Sequence, residues 1–127
     1  MKNNKTLLLI NSILTAVYAI MLLSMPARFF EMRGMNTNEF GLFITRFLGG
    51  PSQIGYAVLS YLASRSENHE VIRLVTIISF LTWILGLLVL IYGKMTLEMN
   101  DMVWAEIVMA SVFSIAFGYF SLSKQKT

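Results

Sequence analysis

The chain has 127 residues, of which 56% are hydrophobic and 13% charged, with a formal net charge of +3 and a mean hydropathy of +0.65. A soluble domain carries about a quarter charged residues, so this apolar excess is too large for one water-soluble core, and a membrane protein is expected. There is no cysteine, which excludes disulfides, thiolate nucleophiles, iron–sulfur clusters and cysteine-based zinc sites.

Four long apolar runs predict an all-α, integral membrane four-helix bundle that occupies residues 1–127 as a single domain. The first run, TLLLINSILTAVYAIMLLSM, spans about residues 6–25. Its basic start resembles a signal peptide, but the run is longer than a usual h-region and no A-x-A site follows it, so it is read as a retained helix. Asn11, Thr15 and Tyr18 fall on one face, and Met25-Pro26 ends the run.

The second run covers about 40–63 and opens after Asn36-Thr37-Asn38-Glu39, a capping pattern with an acid in the first turn. Inside it stands TRFLGGPSQIG, which places Arg46, Gly49, Gly50, Pro51 and Gln53 where lipid would be. Pro51 removes one backbone donor, and a kink beside the two glycines is expected. Arg46, Gly49 or Gly50, Gln53, Ala57 and Ser60 follow helical spacing and form a small, polar stripe.

The third run covers about 71–93. It begins after Ser66-Glu67-Asn68, is closed by Gly93, and carries Thr76, Ser79, Thr82 or Trp83, and Gly86 on one face. The fourth covers about 102–122, opens after Asn100-Asp101, and carries Glu106, Ala110, Ser114 or Phe113, and Phe117 on one face. The short connections make neighbouring helices antiparallel. Lys2, Lys5, Arg65, Arg73, Lys124 and Lys126 flank one side, against Arg28, Arg33 and Lys94 on the other, joined by Arg46 if it snorkels. This bias favours both termini in the cytoplasm of a cell with an inner membrane. FFEMRGMNTNEF after the first run and IYGKMTLEMNDM after the third echo each other. Two repeated hairpins or chance both account for that likeness.

Arg46 lies about 9 Å into the second helix, and Glu106 enters the fourth to a similar depth. A charge inside a membrane helix costs several kcal/mol unless it is paired, hydrated or snorkelled. An Arg46–Glu106 pair is therefore expected, with Asn11, Tyr18, Gly49, Gly50, Gln53 and Trp83 along the surrounding seam. Two readings stay open. The seam is either structural glue between helices, or a cavity in which Arg46 meets an anionic or carbonyl group.

Other chemistry is thin. His69 with Glu67 and Glu70 makes a poor metal site, so no metal and no cofactor are expected. No Ser-His-Asp set, inward carboxylate pair or phosphate loop appears, and the nine methionines read as flexible packing. The terminal lysines suit an anionic inner leaflet, and nothing indicates nucleic acid.

The segment GLFITRFLGGPSQIGYAVLSYLA, with Arg46, Gly49, Gly50 and Gly55, resembles the small bacterial four-helix membrane proteins called DoxX-like; Pro51 departs from that pattern. The resemblance implies a four-helix bundle and an accessory role in a membrane complex. The expected function is non-enzymatic: an accessory bundle, or a binder of a small lipid-like or anionic molecule. Its partners would be the bilayer, a membrane protein or further copies of itself. The alternative is an oligomeric proton-coupled transporter in which Glu106 carries the proton.

Overall fold

The computed structural model describes residues 2–123 and contains helices and no strand among them. Helix α1 runs Lys2–Ser24, α2 Pro26–Glu31, α3 Glu39–Ile44, α4 Gly50–Arg65, α5 His69–Thr96 and α6 Met102–Leu122. A π-helical turn, Thr45–Gly49, joins α3 to α4, so residues 39–65 form one continuous helical segment. Lys124 and Lys126, used in the charge count, lie outside the described residues.

Helices α1, α5 and α6 are each long and apolar enough to cross a membrane, with mean hydropathies of 2.2, 2.7 and 1.6 over their most apolar stretches. The chain is a membrane protein on that evidence. Its side chains are distributed accordingly. Ile13, Ile20, Leu62, Val89, Ile115 and Leu122 point outward, while Asn11, Thr15, Ser60, Thr76, Ser79 and Ser114 are buried. Lipid solvates an aliphatic side chain as well as a protein interior does, so close contact and interhelical hydrogen bonds select the inner face.

The helix ends follow local chemistry. Asn38 accepts a hydrogen bond from the Gly41 amide at 2.8 Å, and Asn68 accepts from Glu70 at 2.9 Å. Each bond satisfies an amide that has no intrahelical partner. Pro26 opens α2, where its missing N–H costs nothing. Gly93 does not close α5. It remains helical, and the helix runs on to Thr96, where Leu97 N–H donates to the Gly93 carbonyl. Among the described residues the one positive φ is at Gly34, +72°, where the chain turns from α2 toward α3 in a conformation that favours glycine.

Packing proceeds in two pairs. Helix α1 lies along α4 and α5 lies along α6, while contact between the pairs is much sparser. Glycines set the first pair: a methyl group at Gly50 would sit 2.3 Å from Leu23 Cδ2, and one at Gly49 would sit 3.3 Å from Leu22 Cδ1. Gly118 does the same for the second pair, beside the Phe80 ring. Leu8, Ala63, Ile72, Val75 and Phe117 form the buried apolar cluster where the pairs meet, and Phe80, Trp83 and Phe113 pack against it. Lys5 Nζ lies 3.1 Å from Glu67 Oε1, which puts the start of α1 beside the α4–α5 connection.

The π turn follows from Pro51. An α-helical register through this point would require a donor that Pro51 lacks, and a wider turn accommodates its ring. The Ser52 hydroxyl then donates to the Leu48 carbonyl at 2.6 Å, with the Gly49 carbonyl at 3.1 Å, and so supplies a local donor.

Candidate functional site

Between the two helix pairs, at the end that holds α2, lies a cavity of about 430 Å³. Leu22, Phe29, Phe30, Met35, Leu90, Met99 and Met109 make its apolar wall, and Thr15, Tyr18, Gln53, Tyr56, Thr82, Trp83, Arg33 and Glu106 supply its polar groups. Only Arg33 and Glu106 among these carry a formal charge.

The two charges sit together. Arg33 Nε donates to Glu106 Oε2 at 2.9 Å, and Nη2 donates to Oε1, so the contact is bidentate. The side chains are 10% and 15% exposed. Arg33 reaches this position because the turn after α2 folds back over the end of the helices. Its Nη1 donates to the Phe29 carbonyl, and its guanidinium carbon stands 3.6 Å from the centre of the Phe29 ring. Burial lowers the guanidinium from its ordinary proton affinity while the nearby Tyr18 raises it, and from so high a starting value the group stays a cation.

The same turn is tied to the α5–α6 connection. Asn100 N–H donates to the Arg33 carbonyl at 2.9 Å, and Asn100 Nδ2 donates to the Met32 carbonyl at 3.0 Å. Lys94 Nζ donates to the Met99 carbonyl at 2.8 Å and so orders the far side of that connection. The two segments that echo each other in sequence are therefore the two that pack together at the cavity mouth.

A second polar group closes the inner end. Asn11, fully buried, donates from Nδ2 to Ser60 Oγ at 3.0 Å and accepts from Trp83 Nε1 at 2.8 Å. These bonds join α1, α4 and α5 at one point. The Trp83 ring stacks on Phe113 of α6 at 4.7 Å between centroids, which completes the set of four segments. The Tyr56 hydroxyl is buried among the polar groups of Asn11, Ser60, Ser79 and Trp83.

Glu106 does not pair with Arg46, as the depth argument expected; its partner is Arg33. Arg46 is exposed and its Nε donates to the Leu23 carbonyl at 3.2 Å. That carbonyl is among the last four of α1, so Arg46 places a cation on a helix C-terminus. The physical reason is the π turn. It puts one extra residue into the helical phase, so Arg46 no longer shares a face with Gln53. Gly49 and Gly50 likewise do not reach the cavity and serve the α1 contact. Tyr18, Gln53, Trp83 and Glu106 line the cavity, and Asn11 stands directly behind Trp83. Arg33 entered the sequence reading only as a flanking charge. One signal for it was available: a connection of this length after Pro26, with paired phenylalanines and a glycine, has room to fold back over the helix ends.

No group of three or more metal-binding side chains occurs among the described residues. The chain matches no family model, no curated protein and no solved structure.

Proposed function

We propose that the protein is a non-enzymatic transmembrane four-helix bundle that holds one small lipid-like molecule between its two helix pairs. The four crossings are α1, the segment 39–65 with its bend at the π turn, α5 and α6. Both termini lie in the cytoplasm of a cell with an inner membrane, an orientation supported by Lys2, Lys5, Arg65 and Arg73 at one end.

One observation carries the reading: a cavity of about 430 Å³ with a mostly apolar wall and a small set of polar groups. Ligand sites of this type measure about 300–1,000 Å³ and combine an apolar lining with a few convergent polar atoms. A purely structural seam would be filled by side chains, because close packing is what holds membrane helices together. The wall offers no nucleophile beside a base, which favours binding over catalysis. Proton-coupled transport is disfavoured, because Arg33 occupies both oxygens of Glu106.

Native mass spectrometry of the gently extracted protein tests this proposal. Wild type is expected to retain a stoichiometric small-molecule adduct. Gly86 lines the cavity and has open space where a side chain would begin, so Gly86→Leu should fold and lose that adduct. A wild-type protein that is bare, and that responds to no added amphiphile, would remove the ligand reading in favour of an accessory role for a membrane partner.

A further inference from the structure

We infer that a second cavity, at the end of the bundle that holds the start of α1, binds the phosphate of an anionic phospholipid head group. This site is separate from the larger cavity and does not depend on it.

The lining carries the chemistry. Lys2 and Lys5 of α1, Glu67 of the α4–α5 connection, and His69 and Ile72 of α5 enclose about 220 Å³. Two ammonium groups stand against one carboxylate, so the lining keeps a net positive charge. His69 adds an N–H donor in either protonation state. A phosphodiester carries one negative charge and several acceptor oxygens, and it complements that set. The backbone at the start of α5 is already engaged. Asn68 Oδ1 accepts from the Glu70 and Val71 amides, and the Asn68 carbonyl accepts from the Ile72 amide. Recognition therefore falls to the side chains.

Glu67 is the competitor for that phosphate. Its Oε1 lies 3.1 Å from Lys5 Nζ, but its side chain is 93% exposed, against 27% for Lys5. An ion pair with so exposed a partner contributes little to stability. A phosphate can thus take over Lys5 while Glu67 turns to water.

Size and position select a lipid. The volume is below the about 300–1,000 Å³ of sites that enclose a whole small molecule, so a head group fits and the rest of the molecule lies outside. Helix α1 is long and apolar enough to cross a membrane, and lysines beside such a helix attract anionic lipids. Leu9 and Ile13 continue Lys2 and Lys5 along α1 at three- and four-residue spacing, and both are exposed. A lipid whose phosphate enters the cavity has that apolar face for its acyl chains.

The test is a calorimetric titration of the full-length protein in dodecylmaltoside micelles with dihexanoylphosphatidylglycerol, zwitterionic dihexanoylphosphatidylcholine and inorganic phosphate. Phosphatidylglycerol should bind at one site per chain and more tightly than the other two. Lys5→Gln should weaken it about fivefold, the factor that one lysine supplies at an anionic surface. Glu67→Gln frees Lys5 and should tighten it by about the same factor, a gain that misfolding cannot produce. Glu70→Gln makes the same change in net charge outside the cavity lining and should have a far smaller effect. Gly86→Leu, in the larger cavity, should leave phosphatidylglycerol binding unchanged.

Equal tightening by Glu67→Gln and Glu70→Gln would reduce the attraction to diffuse surface charge and overturn the site. Phosphatidylcholine binding as tight as that of phosphatidylglycerol would overturn it too. Inorganic phosphate that binds as tightly as phosphatidylglycerol would assign the cavity to a soluble phosphate and overturn the lipid source. If neither phosphatidylglycerol nor inorganic phosphate binds wild type, the inference falls, and the reading of the larger cavity stands or falls on its own test.

Discussion

Arg33 and Arg46 are the same residue in two regions of one molecule, and their surroundings give them opposite roles. Arg33 stands after a six-residue helix, in a segment that hydropathy assigns to a connection, yet it is buried against Glu106 at the cavity mouth. Arg46 stands within an apolar run, yet it is exposed and serves as a cap on α1. Linear depth in a hydrophobic run thus predicts burial poorly when a connection folds back or a helix changes phase. Position relative to the backbone turns decides it.

The comparison is broken most directly at Glu106. Glu106→Gln strands a buried guanidinium and should cost about 3–5 kcal/mol, read as a lower midpoint of unfolding in mixed micelles. The double variant Arg33→Met with Glu106→Gln should recover most of that loss, because two well-packed neutral groups replace a pair. A single variant as stable as wild type would show that the pair does not hold the mouth.

On the other side of the comparison, Gly50→Val drives a side chain into Leu23 and should cost about 1–3 kcal/mol. Leu23→Ala in the same chain should return part of that, which would confirm that the glycines serve the α1 contact. At the cavity floor, Asn11→Ala leaves the Trp83 indole N–H and the Ser60 hydroxyl without their partner. A loss of about 1–3 kcal/mol is expected, together with a shift in Trp83 emission. Arg46→Gln should have the smallest effect, about 0.3–1 kcal/mol, the value of a cation at an exposed helix C-terminus. If Arg46→Gln were instead as damaging as Glu106→Gln, the contrast between the two arginines would fail.

What the sequence made legible is what local chemistry determines. The apolar runs and the Asn38 and Asn68 caps depend on neighbours within a few residues, and they stand at or near their structural bounds. Gly93 misled because glycine is tolerated inside a helix when tertiary contacts support it. The partner of Glu106 was not legible for a different reason. Arg46 stood at matching depth while Arg33 stood in a connection, and the outcome depended on the course of that connection and on a π turn, neither of which has a periodic signature. Tyr18, Gln53 and Trp83 were identified because a polar face on an apolar helix is visible in spacing alone, whereas the cavity they line arises only from the sparse contact between the two helix pairs.

The bidentate contact between Arg33 and Glu106 also has a consequence for biosynthesis. The two residues are separated by most of the chain, and the arginine emerges from the ribosome long before its carboxylate exists. Until α6 enters the membrane, the first connection has no counter-ion to draw it over the helix ends and must remain at the aqueous surface. Closure of the mouth is thus tied to the arrival of α6, so a chain that lacks α6 carries an arginine without its carboxylate.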